Sequence, residues 1–410
     1  MKIRIATLVL CLAAASLSAA STNDVSLSLE NVIRIAEQNV PQLKASHARW
    51  IAAEHRARQA GLPPNPQLVI GAEGFRGRGS GEYVAGVSQS IPLGSQRRLT
   101  KEVAAAERDQ AGLRFEAARS DVRRRAHGAF ATALFAQESE KLHGERLVVL
   151  ESRLRIATAR SDAGDQITER AELAHADLDH EQLDRESALT VRRKAFLALA
   201  TVIGQPDLAI VGLRGELELE LGMDEIRRAA DSLDELPGQR AADREEAIAR
   251  LRAQAARASR IPSLNLKLLY RRDQASRKNG MDIGVGFAIP LFDRKKAAVK
   301  SHLSDADAAR EEAVLLRQQT RLSFEQLAAD LEMALKRSDH IREEILPHHA
   351  QIVARHRLLF SAGETDRDSY DAARLEHALE RRHYLDGLRE VHRIWAALSA
   401  YQSAKNVARN

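Results

Sequence analysis

The chain has 410 residues, aromatic side chains make up only 4% of it, and charged ones 29%. The formal net charge of +5 is small for this length and its signs interleave, which argues against nucleic-acid binding. The composition suits long, surface-rich helices better than a compact enzyme core.

The first twenty residues read as a secretory signal. Lys2 and Arg4 precede a short apolar run, Ile5 to Ala15, and Ser18-Ala19-Ala20 places small residues before a cut after Ala20. Removing Lys2 and Arg4 lowers the formal charge to +3. Cys11, the only cysteine, lies inside the run behind Leu10, where lipidation would need a small residue. The exported chain is therefore expected to lack cysteine, which excludes disulfides, thiolate metal sites and cysteine nucleophiles. Beyond the signal no apolar stretch reaches the length of a spanning helix, so a membrane crossing would have to use β-strands.

Ser28 is placed to cap an amphipathic helix that runs to about Ala60. Pro63-Pro64-Asn65-Pro66 stops it, because proline has no N–H to donate and restricts the residue before it. Leu68 to Phe75 and Tyr83 to Ile91 are strand candidates joined across Gly77, Gly79 and Gly81. From Ser95 to Arg160 helix formers run without a proline, enough for roughly 100 Å of helix. Ala104, Ala105, Ala106, Ala111, Ala117 and Ala118 are small, and larger apolar residues are sparse, a pattern that favours close-packed helices in a thin-walled assembly. An Ala163-Gly164 pair turns the chain, which returns as helix from Glu169 to Ile203.

The order then repeats. Gly86 to Leu93 matches Gly284 to Leu291 at an offset of 198, Pro41 and Pro66 match Pro237 and Pro262 at 196, and Ala163-Gly164 matches Ala362-Gly363 at 199. We divide the chain into the signal (1–20), a first repeat (21–204), a linker (205–222) and a second repeat (223–410). The strand pairs fall at 67–92 and 262–290. In the second pair Leu264, Leu266, Leu268 and Tyr270 share one face, and Ile283, Val285, Phe287 and Ile289 another, with the polar Arg271 to Gly280 loop between. The second long helix runs from Arg294 to about Phe360, with a kink expected at Pro347, and returns from Asp368 to Tyr401. Four strands cannot hide their own edges, so closure needs other chains.

Leu29 to Leu43, Pro64-Asn65-Pro66, Gln89-Ser90-Ile91-Pro92-Leu93-Gly94 and Ile289-Pro290-Leu291-Phe292-Asp293-Arg294 resemble the TolC-like outer-membrane efflux family over nearly the whole exported chain. The Leu93 to Arg98 and Pro290 to Arg294 phrases are most similar to its heavy-metal efflux branch, although Ala297 and Ala298 stand where that branch usually has a glycine. The resemblance implies a mainly α fold with a small β part. Long antiparallel helical hairpins would form a periplasmic tunnel, and four strands per chain would contribute to a trimeric twelve-stranded outer-membrane barrel. It also implies a homotrimer held in outer-membrane lipid that passes substrate passively. Its partners would be a periplasmic adaptor (membrane fusion) protein and an energised inner-membrane pump of the RND type. The competing reading is a soluble periplasmic coiled-coil adaptor or scaffold.

No nucleophile elbow, phosphate loop or dinucleotide fingerprint is present, and neither catalysis nor a cofactor is expected. The fourteen histidines, including His348-His349 and the His175 and His180 pair, are read as scattered, solvated side chains, with weak metal contacts along a channel as the alternative. The resemblance makes the two tips, Ala163-Gly164-Asp165 and Ala362-Gly363-Glu364, the adaptor-docking ends at the tunnel entrance. Arg160 and Arg355 are candidate donors of an entrance gate, and Asp366, Asp368 and Asp371 its candidate acceptors. Threefold repetition would turn such carboxylates into acidic rings.

Overall fold

The computed structural model describes residues 25–73, 81–164, 168–219, 223–274 and 276–401. The signal with Cys11, the Gly77 and Gly79 turn, Phe75 and Asp165 lie outside these residues.

The chain starts with β1 (Val25–Leu27), α1 (Leu29–Asn39) and α2 (Pro41–Ala60). Ser28 caps α1 as expected, its hydroxyl accepting from the Asn31 amide at 3.4 Å. The single helix expected up to Ala60 is broken, however. Pro41 cannot supply the N–H that a continuous helix needs, and Val40 before it is extended, with ψ 119°. Strands β2 (Gln67–Glu73) and β3 (Glu82–Ile91) then lead into α3 (Gln96–Asp162) and the returning α4 (Thr168–Val202). With 67 residues, α3 is about 100 Å long.

β4 (Ile210–Leu213) lies in the stretch expected to be a plain linker. It pairs in parallel with β1, a contact too short and too distant in sequence to leave a pattern. After α5 (Met223–Asp231) comes α6 (Pro237–Ala258), which again begins with proline behind an extended residue, Leu236, with ψ 139°. Strands β5 (Leu264–Asp273) and β6 (Asn279–Phe287) precede α7 (Lys296–His340), α8 (Leu346–Ser361) and α9 (Arg367–Leu398). Strand β6 stops at Phe287, so Ile289 is outside it. Strands β5 and β6 also extend into the segment read as a polar loop.

Instead of a plain kink at Pro347, a π-helical turn at Ile341–Ile345 separates α7 from α8. An interior proline leaves a carbonyl without its donor and crowds the preceding turn, and a wider turn relieves both.

Helix α3 packs against α2, α4, α6 and α9, while α7 packs on α6 and α9, and α8 on α9. Its buried side chains include Ala104, Ala106, Ala126, Ala131, Ala133 and Ala136, which let neighbouring backbones approach closely. Large apolar residues gather in two places. One cluster joins Val32, Phe130, Leu134, Leu199 and Ile203 with Leu213 of β4. The other joins Ile226, Phe324, Leu331, Val391 and Ile394.

Candidate functional site

The four strands form one antiparallel sheet in the order β2-β3-β5-β6. The register fixes which side chains share a face, because directly paired residues point the same way. Leu68 pairs with Val87, Val87 with Leu268, and Leu268 with Ile283. Ile70, Tyr270, Met281, Leu266 and Val285 extend the same face. It is apolar and open to its surroundings: Ile70 is 75% exposed and Ile283 81%. An apolar patch of this kind on a soluble protein would be an aggregation liability, whereas against lipid it is the lower-energy arrangement.

The opposite face carries Ser88, Lys267, Glu82, Arg271 and Asp282. Arg271 donates to Asp282 at 2.8 Å and to Glu82, and lies 4.0 Å from Glu73. At Gly86 β3 leaves no room beside β5: a Cβ there would meet the Leu268 carbonyl oxygen at 2.0 Å. Among the described residues no helix is long and apolar enough to cross a membrane. Among the described residues the surface suited to lipid is thus a sheet of alternating character, which a soluble scaffold has no use for.

At the far end the two hairpins turn on Gly164 and Gly363, whose φ angles of 78° and 76° favour glycine. Around the second tip the Gly363 amide donates to Phe360 and the Glu364 amide to Leu359, so the terminal carbonyls of α8 are satisfied by its own exit. Ala163 and Gly164 close α3 in the same way.

The candidate gate residues are only partly brought together. Asp366 caps α9, accepting from the Ser369 amide at 2.9 Å, and lies 3.6 Å from Arg160 of α3. Hydrogen bonds from Ser369, and then Arg160, hold its carboxyl below the usual carboxylate range. Asp368 pairs with Arg153 of α3 at 2.8 Å, a donor that sequence reasoning missed. Asp371 is 0% exposed and lies between Arg367 and Arg374, at 3.0 and 3.3 Å. Both arginines also lie against the Tyr370 ring, which stacks on Phe360. Asp371 is therefore a buried anchor of α9 and is not exposed at the tip. Arg355 is exposed on α8, away from these aspartates' ion pairs.

The histidines are not all solvated. His127, His143 and His392 are buried. His392 Nε2–H donates to the Leu217 carbonyl at 2.7 Å, and its ring stands edge-on to that of His127. Burial, with His392 beside it, lowers His127 to about 4. His348 holds the Glu344 carbonyl at the π-helical turn, and exposed His175 faces Asp179. Among the described residues, His143, Glu181 and Asp184 form a group close enough to share a cation.

The family model described as "Outer membrane efflux protein" matches residues 32–205. The chain is 25% identical over 353 residues to the cobalt-zinc-cadmium resistance protein CzcC of Cupriavidus metallidurans, covering 82% of this chain and 81% of that one. It is 24% identical over 303 residues to the nickel-cobalt-cadmium resistance protein NccC of Alcaligenes xylosoxydans xylosoxydans, covering 73% and 68%. The solved structure of the outer-membrane channel OprN superposes with a TM-score of 0.69 over 91% of this chain and 89% of that one, at 18% identity. The sheet, the paired hairpins and these likenesses agree: residues 32–205 match the outer membrane efflux protein family, and the chain as a whole is similar to the two resistance proteins and has the fold of a solved outer-membrane channel.

Proposed function

We propose that this protein is the outer-membrane channel of a tripartite efflux system and exports divalent heavy-metal cations of the cobalt, zinc, cadmium and nickel group. The observation that carries the reading is the exposed apolar face of an open sheet, standing at the head of α3, which is about 100 Å long. Among the described residues β2 and β6 are the edge strands of the sheet, and three copies joined edge to edge would close twelve strands with no edge left. The names of the two resistance proteins support the choice of cargo.

In this reading the signal is cut after Ala20, and the repeats 21–204 and 223–410 build a periplasmic tunnel below outer-membrane lipid. A periplasmic adaptor docks at Ala163, Gly164, Asp165, Ala362, Gly363 and Glu364. An inner-membrane pump of the RND type delivers substrate, which crosses the channel passively. Arg160 with Asp366, and Arg153 with Asp368, hold the entrance closed, while Asp371 fixes α9 from within and Arg355 is a further donor available to a neighbouring chain. The test is cell fractionation followed by mass measurement of the detergent-extracted complex. It is paired with growth of a deletion strain on cobalt, zinc, cadmium and nickel salts. A trimer in the outer-membrane fraction and loss of metal tolerance are expected. A soluble periplasmic monomer would sink the channel, and metal tolerance unchanged beside lost tolerance of organic compounds would sink the cargo.

A further inference from the structure

Roughly 30 Å up α3 from its tip, the wall of the first hairpin holds a group of side chains that the channel reading leaves without a role. His143 of α3 faces Glu181 and Asp184, which lie three residues apart on one face of α4. One ligand atom from each of the three lies within 4.8 Å of the others. Glu181 is 2% exposed and His143 7%, while Asp184 reaches solvent. We propose that His143, Glu181 and Asp184 form a binding site for a divalent transition-metal cation that ties α3 to α4.

The donor set is the first argument. One imidazole with two carboxylates suits zinc, cobalt or nickel, whereas oxygen donors alone would suit calcium or magnesium. Around a tetrahedral ion with bonds of about 2.0–2.2 Å, ligand atoms stand about 3.4 Å apart, so modest side-chain rotations bring these three into place. A cavity of about 220 Å³ is lined by His143, Asp184, Ser139 and Ser187, with Arg382, Asp386 and Arg389 of α9 across from them. It leaves room and polar partners for water in the remaining coordination position.

The second argument is how Glu181 is held. Its Oε2 faces Arg146 Nε at 3.0 Å, and its Oε1 faces His143 Nδ1 at 2.7 Å. A carboxylate fixed from behind and presenting its other oxygen forward is the arrangement that orients metal ligands. His143 Nδ1 and Glu181 Oε1 already face each other across 2.7 Å, so a cation entering between them exchanges that contact for two metal–ligand bonds.

The site rests on these side chains whatever the channel carries, so its test is separate from the export test. Full-length protein is purified in detergent, stripped of metal, and titrated with Co²⁺ followed by visible absorption and with Zn²⁺ followed by calorimetry. One tight equivalent per chain is expected, above any weak binding by the other histidines. Asp184→Ala removes an exposed side chain and leaves the fold intact, and it is expected to weaken this equivalent at least about tenfold. His143→Gln is expected to do the same and to abolish the cobalt spectrum of a bound imidazole. Two results overturn the proposal: no tight equivalent in the unaltered protein, or one that persists undiminished in Asp184→Ala.

Discussion

Arg153 Nε on α3 stands 2.8 Å from Asp368 Oδ1 on α9, so an ion pair links the first helical hairpin to the second inside one chain. Arg160 and Asp366 repeat the link nearer the tip, at 3.6 Å. These are half-exposed pairs, each contributing only about 0–1 kcal/mol, so they can yield without unfolding the chain.

A first prediction follows for the entrance. Asp366→Ala with Asp368→Ala is expected to raise resting conductance in planar bilayers and to weaken block by divalent cations, with little change in thermal stability. Adding Asp371→Ala is expected to cost about 1–3 kcal/mol, because Arg367 and Arg374 lose their buried acceptor. Conductance and block both unchanged would reduce these positions to ordinary turn residues.

The sheet allows a sharper test. Leu266→Arg or Val285→Arg puts a charge on the apolar face and is expected to cost about 2–4 kcal/mol if the site lies near mid-bilayer. Ser88→Arg places the same charge beside Lys267 on the polar face and is expected to be milder. The measure is the amount of assembled protein recovered from outer membranes. Equal losses at Ser88 and Leu266 would mean that the faces are misassigned.

Acid should loosen the mid-helix core. His127 is lowered from 6.5 to about 4 in the folded chain, so the unfolded chain binds the extra proton between those values. Stability is fully present above pH 6.5 and is lost as pH falls toward 4, by roughly 3 kcal/mol across the window. His127→Phe is expected to flatten that part of the dependence in thermal unfolding curves between pH 7 and 4. An unchanged slope would show that the ring is not the group responsible.

Much of this architecture was legible because it is written in local chemistry. Prolines 41, 66, 237 and 262, and the Ala-Gly pairs, set the ends of elements, and the alternation from Leu264 to Tyr270 set a sheet face. Even so, Pro41 was read as part of a repeat while its effect on the helix through it was not. What could not be read depends on separation. β1 and β4 pair across nearly the whole of the first repeat, and Arg153 meets Asp368 from 215 residues away. His143 and Glu181 looked like two polar residues on two polar helices, until the α3–α4 pairing turned both inward. A spacing rule for metal ligands within one helix has nothing to detect there.

The strand count of the sheet has a consequence for how copies meet. Running β2-β3-β5-β6 with every neighbour antiparallel, the two edge strands point in opposite directions. When β2 of one copy joins β6 of the next, that junction is antiparallel too, and the alternation passes from chain to chain without a fault. An odd number of strands per chain would break it at every seam. Direction alone therefore admits two, three or more copies, and the choice among them falls to curvature: the twist of each four-stranded piece and the sideways packing of the helices beneath it.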